Sequence, residues 1–403
     1  MLGAMCALGA FSFDVYLPNL PDVVVDLGTT ATMAQFTMTF MLLGGAAGQL
    51  VIGPLSDRFG RRRPALIGAA CHVAACALCA FAPSIIVLIG FRTVMGFFNA
   101  SVGVVAMAVI RDRFVGRDAA RMISRLMLVI GAAPLLAPSI GGLVGQYFNW
   151  RAVFFVLGLY GVGLIVAMWF GLPETLDPSR RLRRVGSSFA GYGTLLRDRY
   201  FVALAMVPAL FSVVLMTYVI ASPFVLQEQY GLSKMGFALA FAINGVGLIG
   251  GAQVNAALVK SFSSSQILRV TAPASLLGCA VLFALGATGA GGLISVLVVL
   301  FLVLSMQNAS PANAAALALT RHGERAGTAA ACLGFAQNVL PALVSPLVGA
   351  MGNHAWAMGL VMSTASLCAV IVLVVATPLY RHGGAAALDR LPPDLSPADV
   401  DIG

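Results

Sequence analysis

Two ionisable residues stand alone within apolar stretches of this chain, and they are the first candidates for chemistry. Asp14 interrupts MLGAMCALGAFSFDVYLP, and Arg92 interrupts IGFRTVMGFFNASVG. Ionisable groups that lie at membrane depth are costly to bury and usually serve a function. A carboxyl that reaches water from one side and then from the other carries a proton, whereas a guanidinium keeps its proton and acts as a fixed charge. We therefore expect proton coupling at Asp14, modulated by Arg92.

Both residues also have structural interpretations. Asp14 is followed by the residues YLPNLP, so it could instead cap a helix or lie in a loop at the membrane surface. Arg92 could instead be satisfied by backbone carbonyls and helix ends. If Asp14 couples protons, its carboxyl changes protonation state during function, whereas a structural Asp14 keeps one protonation state.

A dense charge cluster occupies a short turn, where residues 53 to 64 read GPLSDRFGRRRP. Its four arginines could serve as topology anchors, but anchoring does not explain an acid at position 57 between glycines at 53 and 60. Gly53 would let a helix approach its neighbour closely, and Gly60 would allow a tight turn. Asp57 could pair with a basic residue in only one conformation. These features predict a charged element that changes with conformation.

The composition places these residues in a membrane protein. Of 403 residues, 60% are hydrophobic and 10% are charged, and the mean hydropathy is +0.94. A soluble domain carries about 25% charged residues, so this chain could not cover a soluble surface. The net charge of +9 therefore indicates basic membrane loops, and we expect a lipid bilayer, not a nucleic acid, as the partner.

The spacing of charged and Pro/Gly-rich interruptions predicts twelve transmembrane helices, since each needs about 20 apolar residues. They start near residues 2, 31, 64, 84, 122, 150, 200, 234, 265, 292, 325 and 354. Twenty of the 24 Lys and Arg residues fall in the loops after even-numbered spans and in the tail. Cytoplasmic loops are enriched in these residues, so both termini are expected in the cytoplasm of an all-α integral membrane protein in the cell membrane.

A long hydrophilic interruption divides the spans into six plus six. The expected segments are a six-helix bundle at 1–172, a cytoplasmic loop at 173–199, a second bundle at 200–378 and a disordered tail at 379–403. The two halves have weakly similar sequences at matching places, QLVIGPLSDRFGRRRPAL and QVNAALVKSFSSSQILRV. The alternative is a chance similarity between amphipathic segments at the edges of loops. Two pseudo-symmetric halves are typical of secondary transporters.

The turn after span two resembles the signature loop of the major facilitator superfamily. The matching pattern G-x-x-x-D-R-x-G-R-R is formed by Gly53, Asp57, Arg58, Gly60, Arg61 and Arg62. The resemblance implies the fold of that family and a latch on the cytoplasmic side when the protein opens outward. The partner of Asp57 is expected among Arg58, Arg111, Arg113 and the start of span eleven.

Span five carries a second resemblance, in the stretch GAAPLLAPSIGGLVG. It is similar to the Gly/Pro motif of exporters in that superfamily, and its residues are Gly131, Pro134, Pro138, Gly141 and Gly142. Prolines bend a helix and small residues permit close packing, which suits a hinge and a seal between the halves. A kinked packing helix without that role is the alternative.

Further stretches narrow the resemblance. FDVYLPNLP, ASPFVLQEQYGLS and FALAFAINGVG resemble the Bcr/CflA group of drug and proton antiporters, in order and up to about Pro378. Arg92 matches the span-four arginine of proton-coupled exporters in the superfamily. The resemblance implies a monomeric antiporter that exchanges protons for small amphiphilic drugs such as bicyclomycin, phenicols or sulfonamides. An exporter of an amino acid or another metabolite is the alternative, and a membrane sensor that transports nothing is a more distant one.

Aromatic, Met and amide side chains are candidates for a substrate cavity, with ordinary packing as the alternative. They are Tyr16, Met38, Phe98, Asn99, Phe211, Met216, Tyr218, Asn244, Gln307, Asn308, Gln337 and Asn338. Flexible Met side chains and flat aromatic rings accept ligands of varied shape, and the amide side chains orient the polar groups of a ligand.

Enzymes and ATP-driven pumps are disfavoured by what the sequence lacks. No Ser-His-Asp or Cys-His set shares one predicted depth, and no G-x-x-x-x-G-K-[ST] loop is present. His72 with Cys71 and Cys76 comes closest to a metal cluster, but small thiols pack well between helices. We expect no catalytic residues, no metal site and no cofactor.

Overall fold

The structure, a computed structural model, describes residues 1–114, 116–177, 195, 197–320, 326–377 and 379–380. Within these residues the regular structure is entirely helical. Most of the predicted central loop and nearly all of the predicted tail lie outside the described residues.

In the first half of the chain, the described residues form seven α-helices and one short 3₁₀ turn. The bounds are α1 Leu2–Asp14, the 3₁₀ turn Leu17–Asn19, α2 Leu20–Asp26, α3 Ala31–Phe59, α4 Arg62–Ala80, α5 Ile85–Arg113, α6 Gly116–Tyr147 and α7 Ala152–Gly171. The side chains of Thr30 and Ser84 accept hydrogen bonds from first-turn amides and so cap α3 and α5. The turn between α3 and α4 requires Gly60, whose φ of +89° favours glycine.

In the second half, the described residues form eight α-helices. The bounds are α8 Arg199–Pro223, α9 Lys234–Leu258, α10 Ser264–Thr288, α11 Gly292–Met306, α12 Ala309–Thr320, α13 Ala326–Val344, α14 Leu347–Ala350 and α15 Ala355–Ala376. A π-helical turn, Phe224–Gln229, continues α8. Ser263 and Gln266 form a capping box before α10, and Gly289 ends that helix in the left-handed region.

Ten helices in the described part of the chain are long and apolar enough to cross a membrane. They include the continuous stretches Arg199–Gln229 and Gly292–Leu319. The two other predicted spans coincide with α1, which has only 13 residues, and with α6. Exposed apolar side chains are spread along these helices, for example Leu159 at 75% and Phe170 at 85% exposure. The protein is therefore a multi-pass membrane protein.

The packing divides the chain into two compact units. The first comprises Met1–Val185, Thr217–Val246 and Ala342–His354, and the second Gly186–Met216, Gly247–Pro341 and Ala355–Gly403, as far as these ranges are described. The first unit thus joins the helices of the first half with parts of α8, α9, α13 and α14. The predicted boundary at residues 173–199 divides the chain by sequence and stays a prediction.

Small residues bring helix backbones into contact within each unit. In the first unit, a Cβ added to Gly44 of α3 would overlap the Thr93 carbonyl of α5, and one added to Gly96 would overlap the Met41 carbonyl. In the second unit, a Cβ on Gly359 of α15 would lie 2.6 Å from the backbone of Phe283 in α10. Lipid gives apolar helices no hydrophobic reason to associate, so such close packing is what holds them together.

Candidate transport site

Asp14 is the last residue of α1 and is buried, with 7% of its surface exposed. The chain leaves the helix here and continues through the 3₁₀ turn Leu17–Asn19 into α2. The carboxyl of Asp14 forms no hydrogen bond or ion pair with any other described residue. A buried carboxyl without a cationic partner is well suited to be neutral in one state and ionised in another.

Tyr218 on α8 is buried, as Asp14 is, and its hydroxyl takes part in a hydrogen bond. That hydroxyl accepts a hydrogen bond of 3.0 Å from the Asn244 amide on α9. The Tyr218 ring stacks on Phe241, with centroids 5.3 Å apart and planes at 19°. Tyr218 and Asn244 were predicted as cavity residues, and the structure shows them buried and paired with each other.

Arg92 on α5 is completely buried against the same end of α1. Its Nη1 donates to the Ser12 carbonyl over 3.2 Å, and its Nη2 lies 2.9 Å from the Met38 sulfur. The guanidinium also lies over the Tyr16 ring, 4.5 Å from the centroid. Arg92 forms no ion pair with Asp14 within the described residues. It therefore touches the backbone two residues before the acid.

The Gly/Pro motif of α6 lies against the chain that follows Asp14. A Cβ on Gly141 would overlap the Val15 carbonyl, and a Cβ on Gly142 would lie 3.3 Å from the Lys234 carbonyl of α9. The Asn19 amide donates to the Gly141 carbonyl over 2.9 Å. Pro134 and Pro138 lie within α6, upstream of these contacts, and Gly131 precedes them. The motif glycines thus allow α6 to touch both α9 and the segment after α1.

Lys234, the first residue of α9, forms a charged cluster at the same end of α6. Its ammonium forms an ion pair with Asp22 of α2 and donates to the Gly145 carbonyl of α6 over 2.9 Å. Nearby, the Gln227 amide donates to the Pro18 carbonyl over 3.2 Å. The sequence assigned no role to Lys234 or Asp22. The available signal was that Lys234 is one of very few basic residues in the predicted outer loops.

The signature loop forms a second charged cluster, at the C-terminal end of α3. Arg61 Nη1 donates to Asp57 over 2.5 Å, and its Nε donates to Asp112 at the end of α5 over 2.9 Å. Glu174, after α7, accepts from the backbone N–H of Arg61 over 2.8 Å. Burial lowers the pKa of Arg61, but its hydrogen bonds to Asp112 and Asp57 outweigh burial, so this pKa is raised. The partner of Asp57 is Arg61, a residue of its own motif, so the expectation of Arg58, Arg111 or Arg113 was wrong. The expected start of span eleven, at residue 325, lies outside the described residues.

The other arginines of the loop contact aromatic rings. Arg58 lies over the Phe59 ring, 5.1 Å from its centroid. Arg62 donates to the Trp169 carbonyl over 2.7 Å and lies 5.7 Å from the centroid of that ring. These contacts attach the loop to the end of α7. No added Cβ at Gly53 would meet another atom within 4 Å, so the predicted close approach there is not observed.

The remaining predicted cavity residues are divided between the two units. Met38 and Asn99 are buried in the first unit, the former against Arg92. In the second unit, Gln307 donates to the Phe211 carbonyl and Asn308 donates to the Leu248 carbonyl over 3.0 Å. Both amides lie between α11 and α12, and each donates to a backbone carbonyl of another helix, α8 or α9. Asn338 donates to a carbonyl of its own helix, that of Gly334, over 2.8 Å.

The soft side chains around His72 form a small buried group. Cys76 Sγ lies 3.4 Å from His72 Nε2 and 3.7 Å from Met95 Sδ. In the described part of the chain, no three His, Cys, Asp or Glu side chains come together as metal ligands.

The match to a protein family gives the class of this membrane protein: it is a transporter, not an enzyme. The chain belongs to the Major Facilitator Superfamily, whose family model matches residues 2–346.

Three relatives extend this assignment. The chain is 33% identical to the uncharacterized MFS-type transporter YdgK of Bacillus subtilis (strain 168), over 90% of each chain. It is 30% identical to the bicyclomycin resistance protein homolog of Haemophilus influenzae, over 87% of this chain and 88% of that one. It is 28% identical to the multidrug resistance protein MdtL of Klebsiella pneumoniae, over 93% and 94% of the two chains.

The fold is also similar to solved structures. A crystal structure of the peptide transporter POT in complex with sulfate superposes with a TM-score of 0.75, over 94% of both chains. Its sequence identity of 15% makes this a likeness of fold alone.

Proposed function

We propose that this protein exports small amphiphilic drugs in exchange for protons, by alternating access across the cell membrane. The observation that carries the proposal is the Asp14 carboxyl, buried at the end of α1 without a cationic partner among the described residues. Such a group binds a proton where it meets outside water and releases it where it meets the cytoplasm. A gradient-driven exporter needs no cofactor, because the proton gradient supplies the free energy.

Arg92 acts in this mechanism as a fixed positive charge and as a positioning residue. Its hydrogen bond to the Ser12 carbonyl holds the last turn of α1 in place. A guanidinium keeps its proton under all physiological conditions, so it cannot carry protons itself. It instead favours the ionised form of a nearby carboxyl when the helices move and the distance between the two charges shortens.

The proposed topology has twelve spans, with α1 and α6 added to the ten long apolar helices and with both termini in the cytoplasm. In this orientation the Arg61 cluster, defined as Arg61, Asp57 and Asp112, lies on the cytoplasmic face. It connects the ends of α3 and α5 to the start of α4. We assign it the role of a latch that holds these ends together in one conformation of the cycle.

The proposed cargo class rests on the names of relatives and on the presence of only one predicted acid at membrane depth. Two relatives are named for resistance to bicyclomycin or to multiple drugs. Asp14 is the one acid predicted at membrane depth, so strong selection for dications is not expected. Neutral or weakly charged amphiphiles fit better, and phenicols, bicyclomycin and sulfonamides are the cargo we propose. Export of a metabolite is the alternative, and the name of YdgK specifies no cargo.

Everted vesicles that contain the protein test this function. Their interior is acidified, and a pH-sensitive dye reports the gradient after each addition of phenicols, bicyclomycin, sulfonamides or amino acids. A drug should dissipate the gradient in wild-type vesicles and in Asp26→Asn vesicles, a control at an exposed acid that ends α2 and pairs with Arg151. The Asp14→Asn vesicles should show no dissipation.

Each other outcome has a definite meaning. A response to amino acids alone would replace drug export by metabolite export. Unchanged drug response in Asp14→Asn would remove the coupling role from Asp14. Silence toward every compound, with protein present in the membrane, would contradict proton antiport.

A further inference from the structure

The Lys234 cluster, defined as Lys234, Asp22 and the Gly145 carbonyl, joins three elements that are far apart in sequence. The ammonium on α9 contacts a carboxylate on α2 and a backbone oxygen on α6. The side chains of Lys234 and Asp22 are 25% and 36% exposed, so water screens this pair only in part. A cation shared by a carboxylate and a carbonyl forms strong, directional bonds that break only when the elements separate.

The stability of α9 does not explain why a lysine begins this helix. The N-terminus of a helix carries partial positive charge, so a cation in its first turn is unfavourable. The first turn is already capped, because Ser233 Oγ accepts from the Gly236 amide over 3.0 Å. Lys234 therefore costs α9 stability unless Asp22 and Gly145 compensate for its charge.

The packing between α6 and α9 beside the cluster is tight. A Cβ on Gly142 would lie 3.3 Å from the Lys234 carbonyl and 3.6 Å from the Ala238 Cβ, one turn further along α9. Ala238 is fully buried. Water cannot reach it while α6 and α9 remain in contact, and it would become accessible when they separate.

We propose that Lys234 is a positioning residue for the transport cycle, whose bonds to Asp22 and Gly145 hold the outer side closed. This rests on the alternating access of the proposed function. Outward opening must separate α9 from α2 and α6, and each of these bonds opposes that step. The free energy of the cluster therefore helps to set the fraction of protein that is open to the outside.

Labelling of Ala238→Cys measures this fraction without substrate. The variant is made in a background with its seven native cysteines replaced, and intact cells are treated with a membrane-impermeant maleimide. Labelling should be slow with Lys234 present and about tenfold faster in Lys234→Met, because charged hydrogen bonds in a partly screened site are lost. Lys234→Arg should stay near the parent rate because it keeps the cation.

Lys260 provides the matched control, since it is the other lysine of the chain and is exposed beyond the far end of α9. Lys260→Met should label at the parent rate. Asp22→Asn should label faster than the parent, and its combination with Lys234→Met should be no faster than Lys234→Met alone, because both remove the same interaction. Asp22→Asn keeps the shape of the side chain and serves alone if Lys234→Met does not fold.

Three results would overturn the proposal. One is an unchanged labelling rate in Lys234→Met or, if that variant does not fold, in Asp22→Asn. Another is an equal increase in Lys260→Met, which would indicate a general loss of charge as the cause. The third is labelling that occurs only in everted vesicles, which would place the cluster on the cytoplasmic side. The assay measures labelling and not transport, and it adds no drug, so it gives a clear result even if the protein does not exchange drugs for protons.

Discussion

Loss of the Arg61 side chain should destabilise the protein mainly through Asp112. The Arg61–Asp112 bond is 2.9 Å long and its two side chains are only 8% and 20% exposed. A hydrogen bond to a charged group in such a site contributes about 1.5–3 kcal/mol. Asp57 is 42% exposed, so its bond to Arg61, although shorter, is expected to contribute about 0.2–1 kcal/mol. Arg61→Met should therefore lower the free energy of unfolding by about 2–4 kcal/mol.

Double-mutant cycles separate the two pairs. Unfolding is followed in detergent for Arg61→Met, Asp112→Asn, Asp57→Asn and the two doubles, and the coupling free energy is taken from each cycle. The Arg61–Asp112 coupling should exceed the Arg61–Asp57 coupling. Arg63→Met is the control, because Arg63 is exposed in the same turn and should change stability little. A larger coupling to Asp57 than to Asp112 would refute this use of burial to rank the pairs.

Two further variants test the motifs by transport kinetics and stability. Asp57→Asn should slow turnover more than it weakens drug binding, because the latch acts on conformational exchange; lost affinity with normal turnover would count against that role. Gly141→Leu should lower the free energy of unfolding by about 1–3 kcal/mol and reduce transport, because any Cβ there overlaps the Val15 carbonyl. Gly163→Leu, in α7, is its control, since a Cβ there meets no atom within 4 Å, and equal losses in both would contradict the packing argument.

The helices of this chain were largely predictable, because charged residues, Gly and Pro interrupt the apolar stretches where helices begin. Most helices start within about two residues of the expected position, for example α9 at Lys234 and α10 at Ser264. The fifth span is the exception, since α6 begins at Gly116, before its first arginines. Apolar composition placed that start too late, because the first turns of a helix outside lipid need not be apolar.

The partners of the site residues were harder to predict, because a sequence gives no distances between helices. The partner of Asp57 was expected among Arg58, Arg111, Arg113 and the start of span eleven, but the turn at Gly60 brings Arg61 back onto the end of α3. Gln307 was expected in a cavity, but its amide donates to the backbone carbonyl of Phe211 in α8. Polar residues in lipid first satisfy the backbone, and only the remainder is available for ligands.

The buried acid and the Lys234 cluster belong to one short segment, and this has a consequence for coupling. Between Asp14 and Asp22 the chain contacts α6 through Gly141, and it contacts α8 and α9 through Gln227 and Lys234. Under the proposed mechanism this segment moves as one piece, so release of Lys234 and access of outside water to Asp14 occur in the same step. A proton from outside then reaches Asp14 only when the outer side opens, so loss of Lys234 should raise the fraction of protein in which Asp14 meets outside water.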